Sequence, residues 1–133
     1  MTKKELISLA IKSKEKAIPT YSNFRVGAAL LTKENKVITG ANIENASYGL
    51  TLCAERLAIF TALHNGERNF KAIAIAADSK EYISPCGACR QIMMEFCGPN
   101  LDVIMINSEG KHKTIKMKEL LPYSFDKEYL KNE

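Results

Sequence analysis

The chain has 133 residues, of which 46% are hydrophobic and 26% are charged, a composition that is ordinary for a globular protein and excludes a disordered one. This length predicts one domain over residues 1–133 with a sizeable core. The formal net charge at pH 7 is +4, but the lysines are dispersed among acidic residues, so no groove for a nucleic acid is expected.

The first predicted elements are a helix and a β-hairpin. Thr2 and Glu5 form the pattern of a capping box, so the helix is expected to begin there and to end before Pro19. Two apolar runs, 26–32 and 37–43, flank a polar turn and predict two paired strands.

The rest of the chain alternates between predicted helices and strands. A helix is expected over 52–65, and Gly66 has the position of a C′ residue. The run 72–77 is apolar throughout, which is typical of a strand that is buried on both faces. The remaining predictions are a helix over 86–96, a strand over 101–106, a short edge strand over 114–117 and a last helix over 118–121.

This order of elements predicts an α/β fold. A helix between two strands implies a crossover between parallel strands, whereas the first two strands form an antiparallel hairpin. We therefore expect three layers, with a single mixed five-stranded sheet and helices on both faces.

The sequence predicts a cytoplasmic protein with no membrane segment. No apolar run has the length of a membrane span, and the N-terminal residues lack the apolar core of a signal peptide. Because the cytoplasm keeps thiols reduced, the four cysteines favour metal binding or catalysis over disulfides.

Three cysteines and one glutamate have a spacing that is typical of a catalytic zinc site. Cys86 and Cys89 are three apart, so on a helix both thiolates can reach one ion at about 2.3 Å. Cys53 and Glu55 are two apart, about 200° around a helix, and can face one site only beyond the helix end. Three protein ligands leave the fourth position of zinc open for water. We therefore predict zinc at a helix N-terminus.

The residues before Cys86 predict that the second pair of cysteines also lies in a first helical turn. Ser84 is expected to be the N-cap and Pro85 the first helical residue. Free backbone N–H groups and the positive end of the helix dipole would stabilise thiolates at such a position.

The charge of the predicted site indicates a role for arginine. Zinc with three thiolates carries a net charge of about −1, which makes it a weaker Lewis acid than zinc with a neutral imidazole ligand. Arg56 is the best-placed candidate to offset this charge, and Arg90 is the second. The alternative for both residues is a solvated arginine on a helix surface.

Three further residues are not expected to be ligands. Cys97 lies near the end of a predicted helix and is interpreted as a buried apolar residue. His64 lies near the C-terminus of its helix, and His112 lies in a predicted turn.

The motifs together resemble those of a known family. A ligand-x-Glu element followed by Pro-Cys-x-x-Cys is typical of zinc-dependent nucleobase deaminases. With the segments 21–29, 42–49 and 120–125, the chain resembles the small cytidine deaminases of the homotetrameric, three-cysteine class over nearly its whole length. The resemblance implies zinc bound by Cys53, Cys86 and Cys89, proton transfer by Glu55, and hydrolysis of cytidine and deoxycytidine to uridine and deoxyuridine.

The resemblance also implies how the nucleoside is bound. Asn42 and Glu44 are i and i+2 at the end of a predicted strand, so both side chains can face the hydroxyls of a sugar. Phe24 is expected to line the pyrimidine pocket, and the backbone of Ala54 to meet the base. A neighbouring subunit of the homotetramer is expected to contribute Ala46, Tyr48 and Phe125.

Other functions remain open from the sequence alone. A structural zinc module would need a fourth ligand from Cys97 or His64. A thiol–disulfide oxidoreductase would use Cys86 and Cys89 but leaves Cys53 and Glu55 unexplained. Among deaminases, an enzyme for a cytosine-containing antibiotic such as blasticidin S shares the metal pattern, and enzymes for tRNA or single-stranded DNA would need a charged track that this chain lacks.

Overall fold

Residues 1–125 of the chain are described by a computed structural model. None of the helices in this part of the chain is both long and apolar enough to cross a membrane. In chain order the elements are α1 (Lys3–Ser13), β1 (Val26–Thr32), β2 (Val37–Ala41), α2 (Ala54–His64), β3 (Phe70–Ala77), α3 (Gly87–Cys97), β4 (Asp102–Ile106), β5 (His112–Lys116) and α4 (Met117–Leu120).

The strands form one five-stranded sheet in the order β2-β1-β3-β4-β5. Strand β1 is antiparallel to β2 and β3, β4 is antiparallel to β5, and only β3 and β4 are parallel neighbours. Helix α2 connects β2 to β3, and α3 connects β3 to β4. Since β2, β3 and β4 run in one direction, the N-termini of α2 and α3 lie at the same edge of the sheet, where such folds place their sites.

Helices cover both faces of the sheet. On one face α1 buries Leu6 and Ala10 against β1, β3 and β4. On the other face Ala58 and Ile59 of α2 and Met93 of α3 belong to the larger core cluster, which also contains Met117 and Leu120 of α4. The predicted three-layer α/β fold with a single mixed sheet is therefore confirmed.

Two glycines allow helices to approach the sheet closely. A Cβ atom on Gly40 would lie 2.5 Å from the carbonyl oxygen of Ala54 and 2.7 Å from the backbone nitrogen of Ala58. A Cβ atom on Gly27 would lie 2.3 Å from the carbonyl oxygen of Ala10 on the other face. Gly40 therefore sets the distance between β2 and the first turns of α2, where the predicted site begins.

Several element ends differ from the predictions. Thr2 caps α1 as expected, accepting a hydrogen bond from the Glu5 backbone nitrogen at 3.1 Å, but α1 ends at Ser13 and tightens into a 3₁₀ turn well before Pro19. Strand β2 ends at Ala41 because the backbone of Ile43 pairs with Ile18 and Leu52 instead.

Candidate active site

The three cysteines that the sequence singles out meet at the helix N-termini. Cys53 is the N-cap of α2, Cys86 is the N-cap of α3, and Cys89 lies in the first turn of α3. Their sulfur atoms all lie within 4.8 Å of one another, and the Sγ atoms of Cys53 and Cys86 are 4.0 Å apart. Bonds of about 2.3 Å to a tetrahedral zinc ion place two sulfurs roughly 3.8 Å apart, so the donor set fits zinc.

The predicted N-cap of α3 is wrong. The helix begins at Gly87, and Cys86 is the N-cap, with its sulfur accepting from the backbone nitrogen of Cys89 at 3.5 Å. The hydroxyl of Ser84 accepts instead from Nη2 of Arg90 at 2.7 Å, and the carbonyl of Pro85 accepts from Nε of Arg90 at 2.7 Å. A ligand sulfur therefore takes the capping position, while Ser84 and Pro85 are fixed by an arginine.

The close contact of Cys53 and Cys89 shifts their pKa values in opposite directions. A hydrogen bond from Cys89 and the nearby Arg56 lower the pKa of Cys53 to about 5. The hydrogen bond with Cys53, together with burial, raises the pKa of Cys89 far above its ordinary value. The opposite shifts arise mainly from the hydrogen bond that the two sulfurs share. A bound divalent cation would replace the proton of that hydrogen bond.

Glu55 is a buried carboxyl group next to the cysteines. It lies in the first turn of α2 and only 5% of its surface is exposed. Burial raises the pKa of Glu55 to about 7, with a further contribution from the charge of Cys53. A carboxyl group whose pKa is near neutrality can both accept and return a proton at physiological pH.

Of the two arginines, only Arg56 contacts a cysteine. Its Nη2 donates to the Sγ of Cys53 at 3.4 Å and to the carbonyl of Thr51 at 3.1 Å. Arg90 donates to Ser84 and Pro85 and, at 2.9 Å, to the carbonyl of Leu120. Arg90 therefore fastens the loop before α3 to the end of α4, and its contacts do not make it a partner of the thiolates.

Asn42 and Glu44 both reach the segment that contains Phe24. Nδ2 of Asn42 donates to the carbonyl of Phe24 at 2.9 Å, and its Oδ1 accepts from the backbone nitrogen of Val26 at 2.9 Å. Oε1 of Glu44 accepts from the backbone nitrogens of Tyr21 and Ser22 at 2.8 and 2.9 Å. The two side chains therefore hold the half-buried Phe24 segment from the strand end, as the i, i+2 spacing allows.

Of the four other predicted substrate contacts, one is buried and three are exposed. Ala54 is fully buried between Cys53 and Glu55, whereas Ala46 lies in an exposed segment and Tyr48 is 74% exposed. Phe125 is 58% exposed, and its carbonyl accepts from Nε2 of Gln91 at 2.7 Å. The single chain thus brings Ala54 to the cysteines and leaves the other three at its surface.

Two residues that bond Glu44 were given no role from the sequence. Tyr21 and Ser22 bond to Glu44, and together with Tyr48 and Thr51 they line a cavity of about 340 Å³. The signal was the position of Ser22 directly before Asn23, whose φ of +57° marks a tight turn where a serine hydroxyl can bond to a nearby backbone nitrogen.

The residues predicted not to be ligands lie apart from the cysteine cluster. In residues 1–125, the group that could hold a metal ion contains only Cys53, Cys86 and Cys89. Cys97 packs against the larger core cluster, and burial raises the pKa of its thiol to about 12. His64 and His112 are exposed. A structural zinc module with four protein ligands therefore has no fourth ligand in this part of the chain.

A mixed sheet that carries three cysteines and a buried glutamate at converging helix N-termini defines a metal-dependent enzyme with an open ligand position. The model of the cytidine and deoxycytidylate deaminase zinc-binding region matches residues 1–105. The chain belongs to this family of zinc hydrolases, as the resemblance implied. Because the matched region is the zinc-binding region and contains all three cysteines, the predicted zinc cofactor is also confirmed.

Individual relatives agree over nearly the whole chain. It is 52% identical to the cytidine deaminase of Halalkalibacterium halodurans over 128 residues, which cover 96% of this chain and 97% of that protein. It is 45% identical to the cytidine deaminase of Sporosarcina psychrophila, with 98% and 96% covered. Superposed on the crystal structure of cytidine deaminase from Burkholderia pseudomallei, it gives a TM-score of 0.92 at 49% identity, covering 94% of this chain and all of that one (100%).

Proposed function

We propose that the protein hydrolyses cytidine and deoxycytidine to uridine and deoxyuridine with release of ammonia, a reaction of pyrimidine salvage. The observation that carries this proposal is the buried Glu55 beside the three converging sulfurs, 5% exposed and with its pKa raised to about 7. Relatives named cytidine deaminase, at 45% and 52% identity over nearly the whole chain, support the choice of substrate.

The residues divide the chemistry between them. Zinc held by Cys53, Cys86 and Cys89 would supply a Lewis acid that activates a water molecule for attack on C4 of the pyrimidine. Glu55 accepts the proton that the water loses, because its pKa lies near neutrality. The same carboxyl group then returns protons to N3 of the ring and to the leaving amine. The guanidinium of Arg56 offsets the negative charge of the sulfurs through its contact with Cys53.

Asn42 and Glu44 provide specificity for the sugar. Asn42 uses its oxygen and one N–H on the backbone, so among the described residues its second N–H stays available as a donor to a hydroxyl. Phe24, held beside them, lines the pyrimidine pocket, and the backbone of Ala54 meets the base. Because a site that is built to bond a hydroxyl leaves polar groups unpaired when that hydroxyl is absent, free cytosine is a very poor substrate.

The proposed assembly is a homotetramer in which neighbouring subunits complete each site. Its support is the exposure of large apolar side chains on a single chain: Tyr48 is 74%, Leu50 71%, Phe125 58% and Ile18 52% exposed. In the proposed tetramer the Ala46–Tyr48 segment and Phe125 enter a neighbour's site. A reducing cytoplasmic location keeps the three sulfurs available as metal ligands.

An ultraviolet assay tests the function directly. The purified chain is offered cytidine, deoxycytidine, cytosine and blasticidin S, and we expect turnover of the two nucleosides only. Glu55→Ala should retain zinc and lose activity by at least about a thousandfold, whereas Glu95→Ala, at an exposed glutamate of α3, should match the wild type. Turnover of the antibiotic without turnover of the nucleosides would contradict the proposed substrate, and a fully active Glu55→Ala would contradict the mechanism.

A further inference from the structure

We propose that Ser22 is a positioning residue of the sugar site, and that its hydroxyl fixes the carboxylate of Glu44 and the backbone of Phe24 at the same time. The inference rests on the proposed function, because it assumes that Glu44 binds the sugar of the substrate. It assigns a role to a residue for which neither composition nor motif spacing gave one.

Ser22 contacts Glu44 through two groups. Its hydroxyl donates to Oε2 of the Glu44 carboxylate, and its backbone nitrogen donates to Oε1 at 2.9 Å. The backbone nitrogen of Tyr21 also donates to Oε1, at 2.8 Å. The glutamate side chain, which has several rotatable bonds, is thereby held in one orientation before any substrate arrives.

These contacts leave one acceptor position on the carboxylate. Each carboxylate oxygen can accept about two hydrogen bonds. Oε1 of Glu44 already accepts from two backbone nitrogens, whereas within residues 1–125 Oε2 accepts only from the Ser22 hydroxyl. Since Ser22 and Glu44 both line the cavity of about 340 Å³, the remaining position on Oε2 is available to a sugar hydroxyl. The same hydrogen bonds lower the pKa of Glu44, so the carboxylate stays ionised as an acceptor.

The Ser22 hydroxyl also orders the pocket on the side of the base. A hydroxyl has one proton to donate and two lone pairs to accept with. The proton is used on Glu44, and a lone pair accepts from the backbone nitrogen of Phe24 at 3.0 Å. Asn42 holds the carbonyl of the same residue from the other side at 2.9 Å. The backbone N–H of Phe24 therefore donates to Ser22, and its backbone carbonyl accepts from Asn42.

This arrangement predicts an effect on binding rather than on chemistry. The contact between Glu44 and the sugar is remote from the reacting carbon, so it is equally strong in the ground state and in the transition state. Loss of such uniform binding raises KM and leaves kcat unchanged. A hydrogen bond to a charged group at a partly exposed site corresponds to a change of about tenfold.

The experiment compares three substitutions in the full-length, zinc-loaded enzyme. Ser22→Ala should raise KM for cytidine about tenfold and keep kcat within about twofold of the wild type. Ser22→Thr, which keeps the hydroxyl, should restore KM to within about threefold. The matched control is Ser79→Ala, because the Ser79 hydroxyl accepts from the backbone nitrogen of Glu81 at 3.1 Å, as Ser22 does from Phe24, but in residues 1–125 Ser79 belongs neither to the groups that bond Glu44 nor to the lining of its cavity. That control should leave both constants unchanged.

A double-mutant cycle tests whether Ser22 acts through Glu44. In a Glu44→Ala background, the change Ser22→Ala should raise KM by less than about threefold, because the group that it positions is already gone. An equal effect in both backgrounds, or a loss of kcat without a change in KM, would overturn the assignment. If the wild type deaminates cytidine and Ser22→Ala has normal kinetics, only the role assigned to Ser22 is overturned. If the wild type is inactive on cytidine, the proposed function is overturned as well.

Discussion

The side chain of Asn42 pairs with the backbone of the Phe24 segment as a neighbouring strand would. Its Nδ2 donates to the carbonyl of Phe24 and its Oδ1 accepts from the nitrogen of Val26, both at 2.9 Å. Because Asn42 is only 8% exposed, its removal leaves two backbone groups without partners in a half-buried place. One side chain thus joins the end of β2 to the segment that contains Phe24.

Asn42→Ala should therefore lower both stability and affinity. We expect the free energy of unfolding to fall by about 2–3 kcal/mol and KM for cytidine to rise at least about tenfold. Urea denaturation and steady-state kinetics measure the two effects. Asn100→Ala, at an exposed position, should stay within about 0.5 kcal/mol of the wild type. An Asn42→Ala variant of wild-type stability would show that these two hydrogen bonds contribute nothing to the fold.

Gly40→Ala should disturb the active site by pushing α2 away from β2. The new Cβ would lie 2.5 Å from the carbonyl oxygen of Ala54, so the helix and the strand must separate. Ala54 stands between Cys53 and Glu55 in the sequence, so both residues would move with it. We expect a loss of at least about 2 kcal/mol in the free energy of unfolding, accompanied by lower zinc occupancy. Gly49→Ala is the control for stability, because a Cβ there meets nothing within 4 Å. Unaltered stability and zinc content in Gly40→Ala would contradict the close packing of β2 and α2.

Asp78 makes stability depend on pH in the acid range. It contacts Lys14 at 3.1 Å and Arg25 at 2.8 Å, and the hydrogen bond from Arg25 lowers the pKa of Asp78 from 3.8 to about 2. A carboxyl group with a lowered folded-state pKa stabilises the fold above its unfolded pKa, and this contribution disappears as the pH falls from about 4 to about 2. Asp78→Asn should therefore cost about 1 kcal/mol at pH 7, after allowance for solvent screening, and almost nothing at pH 2.

Denaturation of wild type and Asp78→Asn across pH 2 to 7 measures this difference. The control is Asp102→Asn, which removes a more exposed pair with Lys116, 42% and 47% exposed, and should change stability little at any pH. A constant gap between wild type and Asp78→Asn over the whole range would mean that the charge of Asp78 is not the cause.

Arg56→Ala tests whether the arginine offsets the charge of the sulfurs. Its Nη2 lies 3.4 Å from the sulfur of Cys53. We expect the variant to keep zinc, to lose about tenfold in kcat and to shift its pH–rate profile to higher pH, because the loss of a positive charge disfavours ionisation at the site. Arg68→Ala is the control, since Arg68 donates to the carbonyls of Leu63 and Glu67 at the other end of α2. An unchanged pH–rate profile in Arg56→Ala would contradict the proposed role.

Local patterns predicted the elements of the fold better than their arrangement. The apolar run over 72–77 indicated a doubly buried strand, and β3 is indeed covered on both faces. Gly66 has the φ of +91° that a C′ residue of a helix adopts. The strand order could not be predicted, because the placement of β1 between β2 and β3 depends on how the sheet packs against α1 and α2 rather than on any local signal.

The metal site was predictable because its chemistry restricts residue type and spacing. Cys53 and Glu55 could share a site only beyond a helix end, and the structure places Cys53 at the N-cap of α2. The sequence misassigned the N-cap of α3 because Ser-Pro is a strong start signal, whereas here Arg90 binds both residues. Ser22 was missed because the Ser-Asn pair signals only a local turn, and a hydroxyl that bonds Glu44, 22 residues further on, leaves no periodic pattern.

The most direct test compares zinc content with activity. It asks whether three cysteines hold the ion on which the reaction depends. Elemental analysis of the purified chain should give one zinc per chain, with zinc retained in Cys97→Ser and lost in Cys89→Ser. Chelated protein should be inactive on cytidine and regain activity when zinc is added. Protein that is verified as free of metal and still deaminates cytidine at the full rate would contradict the account.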